Sequence, residues 1–199
     1  MGMSVNTNVG AMLALQNLNK SNKMLETTQL HITTGLKVNG PKDDAATYAI
    51  AQRMRGDIAG MGAVKTALSN GEATVNVAIT AGKAVADMLT EMKAKVVQAN
   101  QAGLDTASRT ALNNDFTSLR DQLETIVQTA EFNGKNLITS AASALTVLST
   151  VDGSTISVTA QSMDATNLGV LTAALDASAS AVTALSQIDA AINSVTSSL

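Results

Sequence analysis

The chain has 199 residues, 45% of them hydrophobic but only 2% aromatic, with Tyr48, Phe116 and Phe132 as the whole aromatic set. It has no cysteine, which excludes disulfide frameworks, cysteine-ligated zinc and thiol chemistry. Thirteen basic against sixteen acidic residues leave a formal net charge of −3, the wrong sign for a nucleic-acid footprint. An alanine-rich, aromatic-poor interior suits close-packed helices, and the single proline, Pro41, permits long uninterrupted ones. After Lys135 the only charged residues are Asp152, Asp164, Asp176 and Asp189, so a charged helical region precedes a Ser/Thr/Ala-rich one. No run approaches the roughly 18 apolar residues of a membrane span, so no membrane insertion is expected. Residues 1–6 lack the basic and apolar regions of a cleaved signal peptide.

The first predicted helix runs from Ser4 to Thr34. Leu15, Leu18, Asn22, Leu25, Gln29 and Ile32 are spaced alternately by three and four residues, a coiled-coil seam with two polar places that set register. Such a narrow stripe cannot bury itself, so the helix requires a partner and is expected to fray without one. Gly35 suits a left-handed cap, Asn39-Gly40-Pro41 is turn chemistry, and Asp43 or Asp44 is placed to cap the next helix. That second helix is predicted from Asp44 to Asn100. At about 1.5 Å per residue it would span about 85 Å, which points to an elongated molecule. Its apolar marks include Ile50, Met54, Ile58, Met61, Leu68, Val75, Ile79, Val85, Leu89, Met92 and Val96, and Met54, Met61, Met88 and Met92 read as core filler.

Gly103 and Asp105 mark a turn into a third amphipathic helix bearing Leu112, Phe116, Leu119, Leu123 and Ile126 and ending near Ala130. Within Leu145–Ala160, two β-branched stretches flank Asp152-Gly153, a strong hairpin signal. A last helix, Ser178–Leu199, presents Val182, Leu185, Ile188, Ile192, Val195 and Leu199 at helical spacing. The expected fold is mainly α: an elongated bundle of long helices with coiled-coil-like packing and one small β-hairpin region.

No catalytic, cofactor or metal constellation emerges. His31 is the sole histidine and lies off the seam, and no phosphate-binding glycine loop occurs. Asp43-Asp44 is explained by helix capping. Arg53/Asp57 and Glu91/Lys95 read as surface pairs one helical turn apart. What remains is a subunit completed by assembly.

Several stretches resemble bacterial flagellin, the self-assembling subunit of the flagellar filament. They are Val5-Asn6-Thr7-Asn8, Ala14-Leu15-Gln16-Asn17-Leu18, the long run Thr33–Ala46, Ile50-Ala51-Gln52-Arg53, Ser69-Asn70-Gly71 and Glu131-Phe132-Asn133-Gly134. The resemblance implies export of the unfolded chain through the flagellar type III channel and incorporation into an extracellular homopolymer that drives swimming. It also implies an export chaperone and a filament cap as partners. The implied organisation is an inner-tube helix and linker at 1–43, a long helical core at 44–135, a short outward-facing variable region at 136–177, and the start of a returning helix at 178–199. In the family that returning helix pairs with the first one. Here only its beginning is expected, so either a truncated product or an unusual subunit is expected, and a doubtful polymerisation competence with it. Alignment through Leu89 places Glu91 and Lys95 where receptor-activating flagellins carry an arginine and a leucine, implying weak recognition by the animal innate immune receptor. A hook–filament junction protein and a secreted coiled-coil adhesin or effector are the alternative readings. An enzyme embedded in the variable region is disfavoured by its lack of His, Glu, Lys and Arg after Asn136.

Overall fold

Asn8 caps a helix: its side-chain oxygen accepts the Ala11 N–H at 3.1 Å, satisfying one of the donors that a helix start leaves free. The computed structural model describes residues 8–199, in the order α1 (Val9–Thr34), α2 (Ala45–Ala99), α3 (Thr106–Thr129), β1 (Glu131–Phe132), β2 (Lys135–Asn136), β3 (Leu145–Leu148), β4 (Thr155–Val158) and α4 (Ser178–Ser198). The first helix is therefore seen from Val9, and the expected helical residues Ser4–Thr7 lie outside the described ones. The chain separates into two units, residues 1–60 and 61–199.

In the first unit, α1 ends at Gly35, whose φ of 67° supplies the left-handed cap. In the second unit, a hydrophobic core forms where α2, α3 and α4 meet. α2 contributes Val85, Leu89, Met92 and Val96, and α3 contributes Phe116, Leu123 and Val127. α4 contributes Ala181, Ala184, Ile188, Ala191 and Val195, at alternating spacings of three and four. The buried face of α4 thus differs from the row predicted from its large residues. Val182 and Leu199 are exposed, Leu185 and Ile192 are half-buried, and alanines take the seam because small side chains let the helix axes approach. α4 runs antiparallel to α2: Asp189 pairs with Lys93 at 2.6 Å, and ten residues later Leu199 lies over Gly82.

The Asp152-Gly153 signal corresponds to a real hairpin, β3 against β4, with Leu145 opposite Val158 and Leu148 opposite Thr155. A second, two-residue ladder pairs β1 with β2 around Asn133-Gly134, where both turn residues take positive φ (52° and 72°) as a tight hairpin turn demands. The expectation of one hairpin region is therefore extended. Parts of residues 136–177 pack into the core. Leu137, Ile138, Met163, Ala165, Leu168, Val170, Ala173 and Leu175 are all buried. They are tied down by Met163 N–H to Ile138 C=O at 2.8 Å, by Leu175 N–H to the Asn113 side chain at 2.9 Å, and by Arg120 to the Leu171 carbonyl at 3.0 Å.

Gly71 lies where β3 crosses α2, and a Cβ built there would sit 2.7 Å from Val147 Cγ2. At Gly62 such an atom would meet nothing within 4 Å. Replacing glycine by alanine inside a helix is worth about 1 kcal/mol when the site is open. A stiff β-branched neighbour turns that gain into overpacking that costs about 1–3 kcal/mol. Gly62→Ala should therefore raise the melting temperature of the protein and Gly71→Ala should lower it, as thermal unfolding followed by circular dichroism will show.

Candidate assembly surface

A helix acquires an unsatisfied face when its apolar residues repeat on one side and nothing covers them. α1 has that character throughout, with no buried residue at all. The alternating spacing places Leu15, Leu18, Asn22, Leu25, Gln29 and Ile32 along one side of it, all of them exposed, with Ile32 at 76%. All six predicted seam residues are thus aligned on an uncovered helix.

The turn after α1 is held by carboxylates. Asp43 Oδ2 accepts the Asn39 N–H at 3.0 Å and faces His31 Nε2 at 3.4 Å, so the lone histidine braces the loop against α1. Asp44 caps α2, accepting from Ala46 N–H (3.0 Å), Thr47 N–H (3.1 Å) and the Thr47 hydroxyl (2.6 Å). Asp105 caps α3 through Ser108 N–H at 3.2 Å. Each carboxyl is held below its ordinary value by the groups donating to its charged form: chiefly the Asn39 N–H and then His31 for Asp43, the Thr47 hydroxyl and N–H for Asp44, and Ser108 for Asp105. A depressed carboxylate contributes stability above its unfolded value and loses it as pH falls through the folded one. Helix content should accordingly hold at neutral pH and decline in acid. Asp105→Asn, which keeps a capping oxygen without the charge, should flatten part of that decline in a circular dichroism titration from about pH 6 to about pH 2.

On α2 a second uncovered apolar row comprises Ile50, Met54, Ile58, Met61 and Leu68, all exposed. Met92 is fully buried and Met88 half-buried, in keeping with a core-filling role, but Met54 and Met61 are each 58% exposed and are not core in this chain. Periodicity identified the face correctly and could not say whether anything lay on it. Within the second unit, Met61, Val64 and Leu68 line one side of a groove whose other side is Ser149, Thr150 and Val151.

Glu91 is exposed, whereas Lys95 is half-buried and donates from Nζ to Asp115 Oδ2 at 2.7 Å, across to α3. The expected Glu91/Lys95 and Arg53/Asp57 pairs are not among the ion pairs of the described residues. A longer-range partner takes Lys95. Arg109 was not singled out by the sequence and proves buried at 8% exposure, donating to the Ala99 carbonyl at 2.6 Å and so satisfying the C-terminal end of α2. Its signal was present: Arg109 stands three residues before Leu112 and seven before Phe116, a basic residue on an otherwise apolar helix face. Among the described residues no group of three or more His, Cys, Asp or Glu side chains is placed to hold a metal ion.

This architecture has close parallels. Residues 5–143 match the family described as the bacterial flagellin N-terminal helical region. Flagellin FljK of Caulobacter vibrioides is 43% identical over 169 residues, covering 85% of this chain and 62% of its own length. Flagellin FljM of the same organism is 39% identical over 197 residues, 98% of this chain and 72% of its own. Flagellin C of Rhizobium meliloti is 40% identical over 141 residues, 71% of this chain and 43% of its own. The chain therefore spans between under half and under three quarters of the length of these relatives. The crystal structure of Bacillus cereus flagellin superposes with a TM-score of 0.58 at 23% identity, over 65% of this chain and 76% of the other, which establishes a shared fold. The chain belongs to the bacterial flagellin family.

Proposed function

We propose that this chain is a structural subunit of the flagellar filament: exported unfolded, assembled outside the cell into a homopolymer, and mechanical rather than catalytic in its role. The carrying observation is α1, a 26-residue helix of a flagellin-family chain whose apolar seam is wholly uncovered. A polymer supplies the missing cover. Asn22 and Gln29 then act as register-setting polar places within the seam, at a cost in strength. The lack of any disulfide suits a chain that must travel unfolded. An export chaperone and a filament cap belong to the same reading as partners.

α4 indicates the type of cover that fits α2. It lies antiparallel over α2 as far as Gly82; further along, β3 covers Gly71, while Leu68 and Met61 stay exposed. We take the exposed apolar row of α2 as the seat of a helix from a neighbouring copy in the polymer. The proposed division into a 1–43 inner-tube segment, a 44–135 core and a 136–177 surface region needs one adjustment, because 137–138 and 163–175 carry core residues. Glu91 and Lys95 are proposed to blunt recognition by the innate immune receptor for flagellin.

The test is expression of the 199-residue chain in export-competent cells that lack their own flagellins, with negative-stain microscopy. Filaments beyond the hook support the reading. Bare hooks with soluble protein in the medium would overturn self-assembly by this chain and leave only its export.

A further inference from the structure

The methionines of this chain divide by environment. Met92 and Met163 are buried, while Met54 and Met61 stand open on the apolar row of α2. Met54 is flanked one turn away by Ile50 and Ile58, and Met61 shares its groove with Val64 and Leu68. A thioether exposed in this way is open to a two-electron oxidant, and its sulfoxide is a polar, chiral group in place of a flexible apolar one. The row has no use for such polarity.

We propose that Met54 and Met61 are oxidation sites for peroxide-class oxidants, and that their oxidation excludes the free subunit from the filament. The chemistry balances without help from the protein. A sulfur lone pair attacks one peroxide oxygen, the S–O bond forms as the O–O bond breaks, and the departing hydroxide takes the proton from the transferred oxygen and leaves as water. The thioether is oxidised by two electrons and the peroxide is reduced. Exposure sets the rates: Met12 and Met24 on α1 are open as well, whereas Met92 and Met163 must wait for the core to open, and only Met54 and Met61 lie on the α2 row. The assembly consequence rests on the filament reading above. Once a helix of a neighbouring copy seats on the row, both sulfurs are shielded, so the lesion falls on subunits that have not yet assembled.

The test uses the intact chain. Filaments of this chain are sheared into seeds, and part of the material is depolymerised, treated with hydrogen peroxide and returned to the seeds. Peptide mass spectrometry follows oxygen addition at each methionine, and sedimentation measures incorporation. Met54 and Met61 should gain oxygen about tenfold faster than Met92 and Met163 in the free subunit. Treated protein should lose most of its incorporation. Met54→Leu/Met61→Leu, which preserves volume and apolarity, should incorporate normally and keep doing so after the same dose. Met12 and Met24 are also exposed and remain in that variant, so its protection isolates the α2 row. Equal oxidation rates at exposed and buried methionines would overturn the site assignment, and a variant as sensitive as the parent would overturn the exclusion. If the untreated chain forms no filaments, the filament reading falls and takes the exclusion with it. The oxidation rates of depolymerised or directly purified protein would still decide the site.

Discussion

Leu18→Asp/Leu25→Asp should abolish filament formation while leaving the thermal melting of the second unit unchanged. Both leucines are more than half exposed (57% and 58%) on a helix with no buried residue, so the isolated chain loses no packing when they are replaced. In an assembled seam the same positions face another helix, where each carboxylate would have to be desolvated without a partner, at a cost of several kcal/mol. A single asparagine is tolerated in such a seam, and turning two of its four apolar layers anionic is not. The measurement is electron microscopy of cells expressing the variant, together with a melting curve of the secreted protein. Filaments of ordinary length from the variant would show that this face of α1 is not an assembly contact. A collapsed melting curve would instead place the leucines in the fold.

Glu91→Arg/Lys95→Leu should raise activation of the innate immune receptor for flagellin by about a hundredfold over the parent chain, from two interface positions worth about 1–2 kcal/mol each. Glu91 is exposed, and on the proposed alignment its carboxylate replaces a guanidinium, a charge reversal that would repel as well as fail to bind. Lys95 donates to Asp115 at 2.7 Å, which places its ammonium over the helix face rather than an apolar contact. Removing it does not strand its partner, because the Asp115 side chain is itself largely solvated. The double variant should therefore fold as the parent does. A receptor reporter assay reads the outcome directly. Strong activation by the unmodified chain would refute the assignment, and so would an unchanged weak response from the double variant.

The parts of this molecule governed by local rules were legible in the sequence. Asn39-Gly40-Pro41 with Asp44 announced the turn and the start of α2, and Asp152-Gly153 announced the β3–β4 hairpin. The α1 seam was legible as well, because the 3-4 spacing is a property of the helix alone. What escaped was set by packing between distant segments. Leu137–Ile138 and the 163–175 stretch enter the core as irregular chain, which has no period to detect. Glu131–Asn136 forms a ladder too short for strand alternation to register. The buried face of α4 escapes its large residues, which carry the helical spacing, because alanines occupy the seam. Lys95 was assigned its nearest acid on the same helix, and the fold offers Asp115 at a separation of twenty residues. The same limit applied to Met54 and Met92: both lie at helical spacing, and only the neighbours of each decide which is core.

The bare surface of α1 bears on how a filament grows. A helix that buries nothing in the isolated subunit recovers no hydrophobic free energy for its ordering until a neighbour arrives. Elongation of such a polymer has a threshold, a critical concentration of free subunit below which ends shrink and above which they lengthen. The strength of the seam sets where that threshold lies, about tenfold in concentration for each 1.4 kcal/mol. Subunits more dilute than that threshold stay monomeric.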